Sequence, residues 1–295
     1  MSSKRRITRA FKNAKILPLN KSSKYIMFSD CHRGDNSFAD DFARNRNIFN
    51  YAISQYFTED YTYIELGDGD ELWENKFDTI FQENKDVYLL LKKFHDRNRL
   101  HFIWGNHDMV YKNPKNINKH LAYYFEDALG KELELMPNAS FSESILLKNE
   151  QTEQCLFLIH GHQADWFNYN FWRLSRFLVR FLWRPLQILG IKDPTSPAQN
   201  FRELIKVEKR IEKWIKNNQN QTVITGHTHR PRFPQPNEVP FFNDGSCVHP
   251  RCITGLEIEN YQITLIKWHL VTQENGTMKI IKTILEGPKN IEEYQ

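Results

Sequence analysis

Five short apolar segments of the sequence each end in side chains that can bind metals or transfer protons. They end in D-x-H, G-D, G-N-H-D, H-G-H and G-H-T-H, and the candidate ligands are Asp30, His32, Asp68, Asn106, His160, His227 and His229. Taken singly, each motif also fits an ordinary turn or packing contact, because Asp, Asn and Gly favour turns. Together they supply imidazole nitrogens and oxygens without a thiolate, which suits Mn, Fe, Zn or Ni ions better than a structural zinc site. The seven side chains outnumber the ligands that one such ion usually binds, so the set fits two ions that share one carboxylate.

Residues 62–75, TYIELGDGDELWEN, place five acids within ten positions, directly after an apolar run. Crowded carboxylates raise one another's pKa unless a cation, a donor or water relieves the repulsion. One interpretation is a turn in which Gly and Asp cap the next helix. The other is a bound cation, with Asp68, alone at the end of its segment, as the natural bridge between two ions. We expect Asp70 and Glu74 to be solvated or to cap the helix.

The apolar segments are short and rich in Ile, Phe, Tyr and Val, which is typical of buried strands. They cover residues 25–32, 61–68, 100–108, 155–162 and 222–229. Residues 40–57 and 71–94 repeat apolar side chains at three- and four-residue intervals, which predicts amphipathic helices and a βαβ arrangement. Ligand sites in such sheets lie beyond the carboxyl ends of the strands, so all five polar clusters can converge. After Pro231, short segments separated by turns predict antiparallel strands that complete a sandwich.

The composition indicates a polar-surfaced α/β protein with one large core. The chain has 295 residues and a formal net charge of +4. That charge is too mild to predict a specific nucleic acid partner. The first 24 residues carry eight Lys or Arg and no acid, which predicts a solvated, partly disordered arm, with contact to anionic lipid or RNA as the alternative. Without a signal-peptide segment, a membrane-spanning run or a C-x-x-C pair, the sequence favours a cytoplasmic location.

The ordered set of motifs from Asp30 to His229 resembles the calcineurin-like metallophosphoesterases. The resemblance implies an α/β fold, a two-sheet β-sandwich flanked by helices over residues 25–287, with a helical insertion at 163–221, a basic arm at 1–24 and a tail at 288–295. It implies two divalent ions, with Mn the expected ion and Fe, Zn or Ni the alternatives. One ion would be held by Asp30, His32, Asp68 and His229. The other would be held by Asp68, Asn106, His160 and His227.

The resemblance also implies catalytic roles around the G-N-H-D motif. Two ions would activate a shared water as the nucleophile, and His107 would donate a proton to the departing oxygen. Glu71, three places after Asp68, would orient and charge His107. Asp108 completes the motif and is the third catalytic candidate. Because the family uses the first His of its H-G motif as a ligand, we expect His162 to face the substrate.

The insertion at 163–221 bears on the substrate. Arginines recur at helical spacing within FWRLSRFLVRFLWR, at Arg173, Arg176, Arg180 and Arg184. One interpretation is a helix packed on the domain with arginines reaching water. The other is an interfacial helix over residues 171–184 that contacts an anionic membrane surface peripherally, with Arg173, Arg176 and Arg180 binding substrate phosphates.

Three functional hypotheses follow. A helical insertion at this point resembles the UDP-2,3-diacylglucosamine hydrolases, although this chain has His107 where those enzymes commonly have Arg. The first hypothesis is therefore a hydrolase of a lipid-linked or nucleotide-sugar diphosphate at a membrane surface. The second is a soluble phosphodiesterase or phosphatase that acts on nucleotides, nucleic acid or phosphoprotein. The third, a non-catalytic scaffold, has the least support, because no ligand and no proton donor is missing.

Overall fold

The computed structural model describes residues 2–152, 154–165, 169 and 201–294. Its helices are α1 (Ser3–Lys12), α2 (Arg46–Thr58), α3 (Phe77–Glu83), α4 (Lys85–Asp96), α5 (Pro114–Leu121) and α6 (Phe201–Lys216). Its strands are β1 (Lys15–Leu19), β2 (Lys24–Phe28), β3 (Thr62–Glu65), β4 (Leu100–Ile103), β5 (Tyr123–Glu126), β6 (Lys131–Glu134), β7 (Phe141–Ser142), β8 (Ser144–Asn149), β9 (Cys155–Ile159), β10 (Val223–Thr225), β11 (Phe241–Asn243), β12 (Cys252–Glu259), β13 (Gln262–Thr272) and β14 (Met278–Asn290). Short 3-10 helices cover Phe42–Arg44, Met109–Lys112, His162–Ala164 and Ile291–Tyr294.

Two large sheets form the centre of the fold. The first sheet has the order β14-β13-β12-β2-β3-β4-β7, and the second has the order β1-β8-β9-β10-β11. Strands β2, β3 and β4 are parallel to one another, and so are β9, β10 and β11. The carboxyl ends of these two parallel groups carry all five polar clusters. Strands β12 to β14 extend the first sheet as an antiparallel meander.

Alternating side chains divide the interior into three apolar layers. Met27 and Ile64 of the first sheet pack against Leu158 and Ile224 of the second sheet, which forms the core between the sheets. Phe28, the neighbour of Met27, points the other way and packs in the cluster that contains helices α2 to α4. Helices α1 and α6 cover the outer face of the second sheet. This alternation is the period of two that a strand imposes, and it confirms a two-sheet sandwich flanked by helices.

The five predicted strands are confirmed as β2, β3, β4, β9 and β10. The single helix predicted over residues 71–94 is wrong, because the helical part begins at Phe77 and is divided at Asn84. The Asn84 N–H donates to the Ile80 carbonyl at 3.0 Å, and its side chain donates to the Gly34 carbonyl at 3.0 Å. Residues 71–76 stay outside the helix, so their side chains are available to the loops at the strand ends.

The amino-terminal segment is not the solvated arm that its charge predicted. Residues 3–12 form α1, whose first turn is capped by the Ser2 side chain, and residues 15–19 form β1, an edge strand parallel to β8. Arg6, Ile7 and Ala10 are buried on one side of α1. The charge count was misleading because the basic residues recur with helical spacing and leave an apolar stripe for the second sheet.

Two predictions about the carboxyl-terminal part also need correction. Strand β11 is parallel to β10 rather than antiparallel, although β12, β13 and β14 are antiparallel as predicted. The tail at 288–295 is not loose over its described part, because β14 continues to Asn290 and the next turn buries Ile291 and Tyr294. The Tyr294 hydroxyl donates to the Pro234 carbonyl at 2.8 Å, which fixes this turn to the sandwich.

Within residues 163–221, the structure describes the 3-10 turn, Tyr169, and α6 with the loop that follows it. Helix α6 lies within the helical insertion predicted at residues 163–221. Residues 171–184 lie outside the described residues, and Arg173, Arg176, Arg180 and Arg184 lie there with them. Among the helices of the described ranges, none combines the length and the apolar character needed to cross a bilayer.

Candidate metal centre

The loops after β2, β3, β4, β9 and β10 meet at one place, where the two sheets adjoin. The Asp30 N–H donates to the Gly67 carbonyl at 3.0 Å, and the His32 N–H donates to the Asp68 carbonyl at 2.9 Å. These bonds continue the parallel pairing of β2 with β3 beyond the strands. From the second sheet, the His227 N–H donates to Asp30 Oδ2 at 2.8 Å. The predicted ligands of both sheets are therefore held in one cluster by backbone bonds.

The first group of candidate ligands comprises Asp30, His32 and His229. His229 Nε2 lies 3.0 Å from Asp30 Oδ1 and His32 Nε2 lies 3.7 Å from the same oxygen. The two imidazole Nε2 atoms are 3.4 Å apart. Asp68 Oδ2 lies 4.0 Å from His32 Nε2, so the predicted fourth ligand borders this group.

The second group comprises Asp68, His160 and His227, and all three are buried. His160 Nε2 lies 3.1 Å from Asp68 Oδ2. Asn106, the predicted fourth ligand, is also buried in the loop that follows β4. Asp68 belongs to this group and also to a group with His32 and His107, whose ligand atoms lie within 4.8 Å of one another. Asp68 therefore belongs to two of the groups that could hold a metal ion, and its bridging role stays a prediction.

Several ligand atoms in the cluster are buried and lack a hydrogen-bond partner in the part of the chain that the structure describes. These atoms are Asp30 Oδ1, Asn106 Oδ1, His160 Nε2 and His227 Nε2. Buried polar atoms are normally satisfied, because an unsatisfied one costs about 1–3 kcal/mol. Each of these four atoms belongs to a predicted metal ligand. Two are imidazole nitrogens, one is a carboxylate oxygen and one is an amide oxygen. The donor set and its unsatisfied atoms therefore fit divalent cations.

The outer atoms of His160 and Asp30 are engaged in hydrogen bonds, and this directs their other atoms toward a cation. His160 Nδ1–H donates to the Leu66 carbonyl at 2.7 Å, which directs the lone pair of Nε2 into the cluster. Asp30 Oδ2 accepts from the His227 N–H and from the Ser29 hydroxyl. Such contacts to the outer atoms of metal ligands fix their orientation.

Charges within the cluster strongly shift the pKa values of its own side chains. Burial alone would raise the pKa of the Asp30 carboxyl, but His229 and His160 hold it well below its usual range. Burial alone would lower the pKa of His160, but Asp68 and Asp30 raise it to about 9. The cluster thus creates a negative potential that favours positive charge at its centre, as a cation site requires.

The backbone of the ligands is itself unusual. Five of the seven predicted metal ligands adopt positive φ angles, namely Asp30 at 51°, His32 at 49°, Asp68 at 52°, His227 at 67° and His229 at 53°. Residues with a side chain pay about 1–3 kcal/mol for such sparsely populated conformations, which persist where the surrounding structure enforces them. The sharp turns allow the chain to reverse direction at each strand end while the side chains point into the cluster.

Glycines of two motifs are needed for close approach. A Cβ atom at Gly105 of G-N-H-D would overlap Asp68 Oδ1, and one at Gly226 of G-H-T-H would overlap the Ser29 hydroxyl. The same atom at Gly226 would come within 2.6 Å of Asp30 Oδ2. These glycines therefore let the loops of both sheets come together around the ligand carboxylates.

Glu71 connects the metal ligands with the predicted proton donor. Glu71 Oε1 lies 2.8 Å from His107 Nδ1, and Glu71 Oε2 lies 2.8 Å from His32 Nδ1. Burial alone would raise the pKa of Glu71, but His107 and His32 lower it to about 2, so the carboxylate is ionised at neutral pH. The sequence predicted the contact with His107 but not the contact with His32.

Trp73 is a second neighbour of His107, and sequence reasoning missed it. The two rings stack with centroids 4.1 Å apart and an interplanar angle of 21°. The indole Nε1–H donates to the Asn106 carbonyl at 2.7 Å. Trp73 therefore contacts both His107, the predicted proton donor, and Asn106, the residue before it. The available signal was the position of Trp73 two residues after Glu71, inside the segment that was predicted to be helical.

Asp108 has the contacts of a positioning residue rather than of a group that touches substrate. Its Oδ2 accepts from the Gly69 N–H at 2.9 Å and its Oδ1 accepts from the Gly105 N–H at 2.5 Å. Both oxygens are thus used to tie the loop after β3 to the loop after β4. The predicted catalytic role of Asp108 is corrected accordingly, because the carboxylate is buried behind the ligands.

Asp70 is also corrected, since it is buried instead of solvated. It accepts from Arg33 Nε at 2.8 Å and from the Tyr111 hydroxyl at 2.8 Å. Arg33 also donates to Glu65 through both terminal nitrogens, at 2.7 and 2.9 Å. This buried network explains two more acids of residues 62–75 without a metal. The signal for it was Arg33, the cation directly after His32.

His162, predicted to contact the substrate, is fully buried beside the second group. Its ring stacks on Tyr169 with centroids 5.8 Å apart, and its centroid is 5.4 Å from that of His160. Burial, together with the neighbouring His160 and His227, lowers the pKa of His162 well below its usual value, so the ring is neutral. Asp165 Oδ2, which the sequence did not single out, lies 3.7 Å from His227 Nε2.

The comparisons with known proteins agree with this geometry at the level of the family. The model of the calcineurin-like phosphoesterase family matches residues 23–231, a range that contains all seven predicted ligands. A search of the curated proteins returned no significant match.

Three solved structures are similar to the chain at low sequence identity. Vps29 from Cryptosporidium parvum is 12% identical, with a TM-score of 0.38 and coverage of 91% of this chain and 100% of that chain. Vps29 from Chaetomium thermophilum is 10% identical, with a TM-score of 0.38 and coverage of 90% and 97%. A putative 5'-nucleotidase from Staphylococcus aureus, in complex with alpha-ketoglutarate, is 16% identical, with a TM-score of 0.35 and coverage of 89% and 53%. Likeness at these scores carries no argument about function.

The family assignment therefore depends on the sequence match and on the cluster. The match covers well over half of the chain, and Asp and His groups that could bind metal lie together at the carboxyl ends of the strands. The narrower resemblance to UDP-2,3-diacylglucosamine hydrolases stays a prediction. The chain belongs to the calcineurin-like phosphoesterase family and is a phosphoester hydrolase.

Proposed function

We propose that the chain uses two divalent ions, with Mn²⁺ the expected ion, to hydrolyse a phosphate diester or a diphosphate. The observation that carries this proposal is the position of Asp68. It belongs to the second, buried group with His160 and His227, and it also borders His32 of the first group. A carboxylate between two sets of imidazoles is the arrangement that a bridged pair of ions requires. When bound, two such ions would neutralise charge on the phosphoryl oxygens and lower the pKa of the attacking water.

His107 is the residue that donates the proton to the departing oxygen. Its Nδ1 is engaged with Glu71, so Nε2 is the nitrogen that serves the substrate. The ionised Glu71 carboxylate provides the counter-charge that an imidazolium at this position needs. The ring is held from one side by Trp73 and lies beside His32, with ring centroids 4.6 Å apart. General acid catalysis of this kind contributes typically about 10²- to 10⁴-fold to the rate.

Protonation matters most for a leaving group that is a poor anion, such as an alkoxide or a sugar hydroxyl. We propose as substrate a lipid-linked or nucleotide-sugar diphosphate, which is supported by the Arg-rich, aromatic sequence of residues 171–184. The alternative substrate class is a nucleotide, a nucleic acid or a phosphoprotein in solution. A panel that contains UDP-diacylglucosamine, other nucleotide diphosphates and cyclic dinucleotides separates these classes.

The test of the mechanism compares two leaving groups after one substitution. We expect His107→Gln to lose about 10²- to 10⁴-fold in kcat on a phosphodiester with an alkyl leaving group, and far less on one with a nitrophenyl leaving group, which departs without a proton. Bound metal per chain should stay unchanged. His269→Gln, on β13, serves as the matched control.

Three outcomes count against the proposal. Full activity of His107→Gln on the alkyl ester would exclude the acid role. Turnover that survives complete removal of metal by a chelator would exclude the metal mechanism. A wild-type protein that binds metal but hydrolyses no ester of the panel would favour the scaffold hypothesis.

A further inference from the structure

Helices α1 and α6 lie side by side on the outer face of the second sheet and form one layer. The Trp214 indole N–H of α6 donates to the Thr8 hydroxyl of α1 at 2.9 Å. Phe11 of α1 packs on Trp214 with ring centroids 5.6 Å apart, and both rings contact Phe157 of β9. The orientation of both helices is therefore fixed, and their outward faces belong to one surface.

The outward faces of the two helices are predominantly cationic. Every exposed residue of α1 and of the described part of α6 is Lys or Arg, and these residues are Lys4, Arg5, Lys12, Arg202, Lys206, Lys209, Lys213 and Lys216. We call this set the basic face. Solvent-facing helix residues normally mix both signs of charge, so a face with eight cations and one exposed carboxylate, that of Glu203, needs an explanation.

Two of the three acids of α6, Glu208 and Glu212, are half-buried. The third, Glu203, has a side chain that is 47% exposed. Glu212 Oε1 lies 2.7 Å from Arg232 Nη2, and Glu203 Oε1 lies 2.6 Å from Lys206 Nζ. The two helices carry eleven Lys or Arg and three Glu, which is a formal charge of +8, whereas the whole chain carries +4. The rest of the chain is thus net negative, and positive charge is concentrated on this one layer.

The two helices that carry the basic face are hydrogen-bonded, through arginines outside that face, to the segment that follows His160. Arg210 of α6 donates to the Ala164 carbonyl at 3.0 Å, and Arg6 of α1 donates to the Gln163 carbonyl at 2.7 Å. Ala164 and Gln163 follow His160 and His162 in the same short segment. A partner that binds the basic face would therefore lie against the layer that supports the metal centre.

We propose that the basic face binds the anionic surface of a lipid bilayer. Five of its cations recur at four- and three-residue intervals along α6, from Arg202 to Lys216, and this stripe extends about 21 Å at the helical rise per residue. A row of this length matches a flat array of phosphate headgroups rather than a single phosphate ion. Each Lys or Arg near an anionic bilayer strengthens binding by about fivefold.

The composition of the basic face favours lipid over nucleic acid. Six of its eight residues are Lys and two are Arg, and none of its members is aromatic. Single-stranded nucleic acids are usually bound with aromatic side chains on which bases stack. Lys acts as a compact, strongly hydrated charge that needs no fixed geometry in its partner. These properties suit a fluid surface of headgroups.

The test measures the partition of the full chain onto vesicles of phosphatidylcholine with about 30 mol% phosphatidylglycerol, at about 0.1 M salt, by co-sedimentation. The variant is Lys209→Gln with Lys213→Gln and Lys216→Gln, and we expect its partition to fall about 100-fold. The corresponding triple substitution to Glu should abolish detectable binding. Since the readout does not depend on catalysis, a failure of the proposed function leaves this test intact.

The matched control is Lys115→Gln with Lys119→Gln and Lys279→Gln, three exposed lysines outside the basic face. It should bind as the wild type does, and all variants should keep the wild-type unfolding midpoint. Failure of the wild type to bind these vesicles would overturn the proposal, and so would equal losses in variant and control. Tighter binding of the wild type to a single-stranded RNA than to the vesicles, lost in the same variant, would assign the face to nucleic acid instead.

Discussion

The two halves of the metal cluster differ in their access to solvent. In the half formed by Asp30, His32 and His229, the two imidazole side chains are 15% and 20% exposed. In the half formed by Asp68, His160 and His227, no side chain is more than 2% exposed. His107 is 19% exposed and lies beside the open half. Substrate can therefore reach the open half and the proton donor together, whereas the enclosed half is separated from solvent.

This difference in exposure to solvent indicates that the two halves have different roles within one centre. The enclosed half is held by His160, whose ring is anchored to the Leu66 carbonyl, and it is bordered by the segment that α1 and α6 support. The open half depends on Glu71, which also binds the proton donor. We expect the enclosed half to retain its ion firmly and the open half to exchange its ion and receive the substrate. The following predictions test this comparison.

The largest effect is expected for Asp68→Asn, because this carboxylate belongs to the enclosed half and also borders His32 of the open half. An amide removes the shared negative charge but keeps an oxygen that can accept the His107 N–H, as Asp68 Oδ1 does at 2.8 Å. Activity should fall by at least about 10³-fold, and metal per chain should fall in both halves. Elemental analysis and initial rates measure these losses, with Asp127→Asn as an exposed control. A variant that loses one ion only would show that Asp68 is not shared.

An intermediate effect is expected for substitutions that affect one half only. On addition of a chelator, the wild type should lose metal in a fast phase and a slow phase. We expect His229→Asn to remove the fast phase and His160→Asn to remove the slow phase, each with a loss of about 10- to 100-fold in metal affinity. A chromogenic chelator in a stopped-flow instrument records both phases. If both substitutions removed the same phase, the comparison of an open and an enclosed half would be wrong.

The smallest effect is expected for Trp73→Phe, which keeps an aromatic ring on His107 but removes the bond from Nε1 to the Asn106 carbonyl. A lost hydrogen bond of this kind costs about 0.5–1.5 kcal/mol, which corresponds to about a 2- to 10-fold lower kcat. The loss should appear with an alkyl leaving group and be absent with nitrophenyl, while KM stays constant. Equal losses on both esters, with a lower unfolding midpoint, would indicate a purely structural role.

The candidate ligands could be predicted from the sequence because each lies within four residues after the end of a strand. A buried strand is a short, local signal, and its carboxyl end is a known location for ligands in α/β sheets. For that reason Asp30, Asp68 and His227 were identified with no knowledge of the contacts between them. The loops that hold them were less predictable, since Asp70 and Asp108 have ordinary sequence neighbours but buried, long-range partners.

Predictions based on charge alone failed where packing decided the outcome. The first 24 residues have the composition of a solvated arm, yet Ile7 and Ala10 are buried against the second sheet and Leu19 is buried between the sheets. The free energy gained by burying an apolar stripe exceeds the cost of holding cations at the surface, where water still solvates them. The tail was misjudged for the same reason, because Ile291 and Tyr294 find an apolar site between the sheets.

By itself, the sequence determined the kind of chemistry, because the types of donor atom and the short distances between motif residues are local properties of the chain. The tertiary structure decided how those donors are shared. Contacts between residues far apart in the chain place Asp68 between an open and an enclosed half and let Glu71 bind two different histidines. They also bring eight cations together on one face. Such contacts follow from how sheets and helices pack, which no local pattern of residues specifies.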